Sequence, residues 1–174
     1  MRIFLDTNIF VYFLTCSSKS EKAKELLDYL VDRGYELVTS INVVEEVLFI
    51  LTRELLRNKR ISGKENMLLF ISAKGYSGVE NELSKFLSLI EELGVTVLDP
   101  QISSKDLFET MKEFHLLPND ALIAAICRSH RIKRIATFDE DFKKVDYLEI
   151  FNSEWLEAHR LPASKNSMEK ENQV

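Results

Sequence analysis

Ile3-Phe4-Leu5 is an apolar run without polar alternation, and it stops at an acid, Asp6. A strand wet on one face alternates apolar and polar residues, whereas a run apolar throughout is buried on both faces, as in a parallel sheet covered by helices. Asp6 then lies just past the carboxyl end of the strand, the edge of an open α/β sheet where ligands bind. Asp6 or Thr7 is equally placed to cap a helix starting near Asn8. From this stretch alone both roles stay open.

Helix and strand then alternate along the chain. Ile9, Phe10, Phe13 and Leu14 continue as a short apolar helix, and residues 16–20 form a turn. Ser18 or Ser20 caps a helix carrying Leu26, Leu27, Leu30 and Val31, which Gly34 ends. Residues 35–39 predict a second strand, and Ser40 or Asn42 opens a longer helix to about Asn58 with a stripe at Val44, Val47, Leu48, Leu51 and Leu55. Helices over 65–73 and 80–93 follow, the latter with Leu83, Phe86, Leu87 and Ile90 on one side. After a strand at 95–98, a helix runs through Phe108, Met111 and Phe114. Pro118 or Asn119 then starts a helix apolar nearly all round, which predicts burial. Strands at 135–137 and 147–151 and a short helix at Trp155 and Leu156 complete the pattern. Strands alternating with helices in this way predict βαβ units and an α/β fold.

The 174 residues suit one domain, over residues 1–160, able to bury roughly 70% of its unfolded surface. Residues 161–174 have almost no apolar content and are expected to be a disordered tail. No apolar run nears the ~18 residues of a membrane span, and residues 1–10 carry an acid where a signal peptide needs an apolar core. A cytoplasmic protein is the expectation. Cys16 and Cys127 suggest neither a disulfide framework nor a zinc site, and His115, His130 and His159 show no ligand spacing. The net charge of −5 argues against bulk nucleic-acid affinity but not against a local basic patch.

Carboxylates recur at equivalent places. Asp120 sits in the first turn of the buried helix, where the macrodipole alone favours an anion by roughly 0.3 to 1 kcal/mol. Asp139, with Asp141 close by, follows the strand at 135–137. Glu45 and Glu46 interrupt the helix after Ser40, and a partly buried carboxylate needs a partner or a metal. Periodicity does not say which of the two faces inward. An all-oxygen, histidine-free set of this kind selects Mg²⁺ or Mn²⁺ over zinc, ions that polarise a phosphodiester and activate water.

Ile3 to Asn8, Thr39-Ser40 followed by Glu46, residues 118–125 (Pro-Asn-Asp-Ala-Leu-Ile-Ala-Ala) and residues 136–142 (Ala-Thr-Phe-Asp-Glu-Asp-Phe) together resemble the PIN domain. Within it they are similar to the prokaryotic branch that contains the VapC ribonuclease toxins. The resemblance runs in order over residues 1–150. It implies a three-layer α/β/α sandwich around a parallel sheet of about four to five strands. It also implies a Mg²⁺- or Mn²⁺-dependent endoribonuclease that hydrolyses RNA phosphodiesters with a metal-activated water, leaving a 5′-phosphate and a 3′-hydroxyl.

Asp6, Glu46, Asp120 and Asp139 stand where the family's four acids stand, and the six-residue step from Ser40 selects Glu46 over Glu45. Asn8, Thr137 and Asp141 match positions that steady the metal or the acids. For RNA contact the expected cations are Arg53, Arg57, Lys59 and Arg60, or Arg128, Arg131 and Arg134. An antitoxin partner covering an apolar groove and a homodimer are further implications. The segment 57–78 and the tail exceed the compact toxin pattern, so a stand-alone RNA-processing nuclease stays an alternative, as does a catalytically silent binding module. A haloacid dehalogenase-type phosphatase needs a second Asp where this chain has Asn8. A receiver domain needs paired acids after its first strand.

Overall fold

The structure, a computed structural model, describes residues 1–15 and 17–159. Cys16 and the tail expected to be disordered lie outside the described residues. Five parallel strands, β1 (Arg2–Leu5), β2 (Glu36–Ser40), β3 (Thr96–Leu98), β4 (Arg134–Ala136) and β5 (Glu149–Phe151), form one sheet in the order β3-β2-β1-β4-β5. The register pairs Phe4 with both Val38 and Ile135, and Ile135 with Ile150. Ile3, Phe4, Leu5, Val38, Ile135 and Ala136 are wholly buried, as strands covered on both faces require.

The helices are α1 (Thr7–Leu14), α2 (Ser20–Asp32), α3 (Ile41–Asn58), α4 (Lys64–Lys74), α5 (Glu80–Glu92), α6 (Ser104–Phe114), α7 (Pro118–Ser129) and α8 (Ser153–His159), with a 3₁₀ turn at Glu140–Lys144. From β1 the chain steps outward to β2 and β3, and right-handed crossovers place α1, α2, α3 and α5 against one face. It then returns past β1 to β4, which sends the α6–α7 pair to the other face. The result is the doubly wound α/β/α sandwich that the alternation and the resemblance predict. Strand order reverses between β1 and β4, so their carboxyl ends frame the crevice of the fold.

Local signals act where the sequence puts them. Gly34, at φ +68°, follows α2, and the Ser103 hydroxyl caps α6 by accepting from the Asp106 N–H at 3.1 Å. Pro118 opens α7, whose residues Ile123 to Cys127 are all buried. The helix stripes differ in part from the expected ones. In α3 Val43 and Leu56 are buried while Leu48 and Leu55 of the expected stripe are only half-buried, and on α5 the expected Leu87 is 47% exposed, as is Phe49 of α3 at 45%. Phe49 and Leu87 face α4, which buries no residue of its own, so an apolar groove of about 1000 Å³ opens between α3, α4 and α5. No helix among the described residues is long and apolar enough to cross a membrane.

Candidate active site

Asp6 stands at the seam of β1 and β4, its N–H donating to the Ala136 carbonyl at 3.1 Å. It is 5% exposed. Oδ1 accepts the Thr7 N–H at 2.7 Å, and Oδ2 accepts from Asn8 Nδ2 and the Thr137 hydroxyl, each at 2.6 Å. The capping role and the site position, left open by the sequence, therefore coincide in one side chain. Burial pushes the Asp6 carboxyl up to about 7, against the pull of Thr137 and Thr7, with Asp120 and Glu46 adding to the rise.

Thr137 is the hub beneath Asp6. Its hydroxyl donates to Asp6 and accepts from Asn8 Nδ2 at 3.0 Å and the Asp139 N–H at 2.9 Å, which uses its full capacity. Asn8 Oδ1 accepts the Phe138 N–H at 3.0 Å, and Asp139 Oδ1 accepts the Asp141 N–H at 2.9 Å. Thr137→Val should therefore cost about 1–3 kcal/mol, because two part-buried donors lose their acceptor, and Thr137→Ser should recover most of it. Urea denaturation of both variants checks this; a loss in Thr137→Ser with none in Thr137→Val would show that the methyl packing, not the hydroxyl, is what matters.

Glu46 lies half-buried on α3, while Glu45 is exposed and lines the groove beside α4 and α5. Glu46 Oε2 accepts from the Thr7 hydroxyl at 2.7 Å and from Asn119 Nδ2 at 2.6 Å. Asn119 Oδ1 accepts from Asn42 Nδ2 at 3.3 Å, and Asn42 Oδ1 from the Ser40 hydroxyl at 2.6 Å. Thr7, Asn42 and Asn119 have no site role in the sequence reading, since partners 39 and 73 residues away leave no local pattern.

Asp120, in the first turn of α7, has its carboxyl pushed up to about 6, by burial first and then by Asp139, Asp141 and Glu46, with Lys144 opposing. Its carboxylate has no hydrogen-bond donor among the described residues. Lys144 Nζ contacts Asp141 Oδ1 at 2.6 Å and is a cation beside the acids that the sequence reading did not single out.

Asp6, Glu46, Asp120, Asp139 and Asp141 thus feel one another across four chain segments, with only oxygen donors. Among the described residues no three acids, histidines or cysteines stand close enough together to hold a metal ion as they are. Mutual repulsion raises Asp120 and adds to the rise of Asp6, which a cation between them would relieve. The residues fit a hard divalent ion by donor chemistry and charge.

The expected RNA-contacting cations fall into two groups. Arg53 and Arg57 follow Glu46 by 7 and 11 residues on the same face of α3. Lys59 and Arg60 lie beyond the end of that helix, Lys59 about 20 Å along from Glu46. Arg128, Arg131 and Arg134 are not brought to the acids. Arg134 opens β4 and pairs with Glu149, which opens β5, at 3.1 Å, so it lies at the amino edge of the sheet, opposite the crevice. Arg128 sits at the far end of α7, paired with Glu113 at 2.9 Å and stacked over Tyr147.

The family model described as the PIN domain matches residues 3–148. The chain is 33% identical over 150 residues to ribonuclease VapC6 of Methanocaldococcus jannaschii, spanning 85% of this chain and 95% of that protein. Ribonuclease VapC2 of the same organism is 33% identical over 151 residues, spanning 86% and 92%. Among solved structures, VapBC2 of Rickettsia felis, bound to a DNA fragment from its promoter, superposes with a TM-score of 0.57 at 21% identity, covering 87% of this chain and 98% of that one.

Proposed function

Because the chain belongs to the PIN-domain family, we propose that it is a divalent-metal-dependent endoribonuclease, the toxin of a VapBC-type pair. The observation that carries this is the coupling of Asp120 to Asp139, Asp141 and Glu46 at the switch point of the sheet, beside buried Asp6. Asp6, Asp120 and Asp139, with Glu46 and Asp141, would hold Mg²⁺ or Mn²⁺. When bound, such an ion supplies charge neutralisation and polarises the phosphodiester and a water.

The chain's own residues do the positioning. Thr7, Asn8 and Thr137 fix both oxygens of Asp6, and Thr7 and Asn119 fix Oε2 of Glu46. That leaves Glu46 Oε1 to take a hydrogen bond, and then a proton, from an attacking water. Cys127 is buried and burial pushes its thiol up, so it offers no covalent nucleophile. Direct hydrolysis leaves a 5′-phosphate and a 3′-hydroxyl.

RNA is the substrate, and an antitoxin and a second copy of the chain are the partners, in the cytoplasm. The groove between α3, α4 and α5 supports a protein partner, since its lining is mostly apolar and a partner would cover the exposed Phe49, Leu68 and Leu87. One domain over residues 1–160 carries the activity.

Mixed cellular RNA incubated with Mg²⁺ or Mn²⁺, with and without chelator, beside an Asp6→Asn variant, tests the function. Cleavage by the parent alone, only with metal and with 5′-phosphate ends, is expected. RNA binding without cleavage in any metal would overturn it in favour of a silent binding module. Asn119→Ala should raise the metal concentration for half-maximal cleavage about 10-fold, the usual effect of losing a residue that orients a ligand. An unchanged metal response would remove Asn119 from that role.

A further inference from the structure

Beside the acids lies a group of side chains that the hydrolysis does not use. Tyr12 is one turn on from Asn8 along the same face of α1, and its ring meets Phe138 with centroids 5.6 Å apart at 54°. Phe138 stands between the hub Thr137 and Asp139, half-buried and packed on the core from one side. Lys19 Nζ lies over both rings, 5.1 Å from Tyr12 and 5.6 Å from Phe138, and forms no ion pair among the described residues.

From Tyr12 a trough of about 720 Å³ runs between α1 and α3, with Thr15, Ile50, Arg53, Arg57 and Lys85 along it. Ile50, Arg53 and Arg57 continue the face of α3 that carries Glu46, so the trough begins one turn from the acids. Glu54 holds Arg57 at 2.6 Å and Arg53 at 3.7 Å, and Glu82 holds Lys85 at 2.7 Å. With Lys19, four cations stand against two carboxylates, in a chain whose net charge is −5.

Resting on the nuclease function above, we infer that Tyr12, Phe138 and Lys19 form a subsite for one unpaired nucleotide next to the cut, and that the strand continues along the trough past Arg53 and Arg57. When the Lys19 ammonium over the two rings swings to the adjoining phosphate, the aromatic pair is freed to stack on a base of any identity. A metal site built from carboxylates repels RNA until neutralised, so the backbone needs cations beside it, and this trough is where they adjoin the acids. An apolar peptide would gain nothing from the four cations. The inference selects Arg53 and Arg57 over Arg128, Arg131 and Arg134, which face away.

A single-stranded oligonucleotide spanning a cut site mapped on cellular RNA tests this, together with copies made abasic at one position at a time. Tyr12→Leu should lower kcat/KM about 5- to 100-fold, the range for losing one base stack. One abasic position should lower the parent by a similar factor and Tyr12→Leu by little more, since both remove the same contact. Lys19→Gln should lower the salt dependence of binding by about one ion.

The metal concentration for half-maximal cleavage should not move in Tyr12→Leu, which separates substrate contact from damage to the acids. A parent that cleaves while Tyr12→Leu matches it on every oligonucleotide would overturn the subsite and leave the nuclease standing, as would losses that simply multiply at all abasic positions. A parent that cleaves no RNA would overturn the function and the subsite with it.

Discussion

Asp120→Asn should melt at a higher temperature than the parent in chelator at about pH 8, yet cleave RNA about 10²- to 10³-fold more slowly, the scale for losing one preorganised electrostatic contact. Asp120 lies among Asp139, Asp141 and Glu46, receives no hydrogen bond, and has its carboxyl pushed up to about 6, so at that pH the folded chain holds an unwelcome charge. Asparagine has the same shape without the charge, and no donor loses an acceptor. Asp120 is only partly buried, so water screens the repulsion and the gain is about 1 kcal/mol rather than the several that a dry site would give. For a domain of this size that is a rise of roughly 2–4 °C. At about pH 5 part of the advantage should remain, because the unfolded carboxyl is still ionised there, and only at about pH 4 and below, where folded and unfolded chains both hold the proton, should it disappear. Thermal melts at these pH values and a cleavage assay check it; a variant less stable than the parent in chelator would mean that the acids are not in conflict.

Much of this site is legible in the sequence because the chain marks it locally. Ile3 to Leu5 ends in Asp6, Ile135 and Ala136 are followed by Thr137 and Asp139, and Pro118 opens a helix too apolar to be anywhere but the core. Those signals are contiguous, and they place three acids at strand ends and a helix start without any knowledge of pairing. Glu46 is different. Periodicity left it level with Glu45, since both share faces with apolar residues, and the geometry separates them through Thr7 and Asn119, contacts made by distant segments.

One of the two basic groups lies away from the acids for a directional reason. The cluster from Arg128 to Arg134 is conspicuous in sequence, but Arg134 begins a strand of a parallel sheet, so it faces the edge opposite the one where Asp6 ends its own. Tyr12 and Lys19 carried no signal, because a tyrosine on a short apolar helix looks like any other core aromatic until the structure places it, only half-buried, against Phe138 and Lys19.

The largest thermodynamic effect should come from Asp6 and metal together. With its carboxyl held up to about 7 in the folded chain, against about 3.9 unfolded, the folded state keeps a proton that the unfolded state has lost over that interval. More protons bound to the folded state mean that stability falls as pH rises, so this group's contribution is complete below about pH 4 and is gone above about pH 7. For a buried carboxylate the difference is on the order of 3–4 kcal/mol.

A divalent ion among these acids reverses the balance, since it favours the ionised form and competes with the proton. Millimolar Mg²⁺ or Mn²⁺ should therefore raise the melting temperature markedly at about pH 8 and far less at about pH 5, where Asp6 and Asp120 hold protons. In Asp6→Asn the metal-dependent rise should shrink at both, because one charged ligand is gone whatever the pH. Calorimetry of parent and variant with metal and with chelator reads all of this. A metal-induced rise of equal size at both pH values would place the ion away from Asp6, and no rise at either would mean that the acids do not bind it.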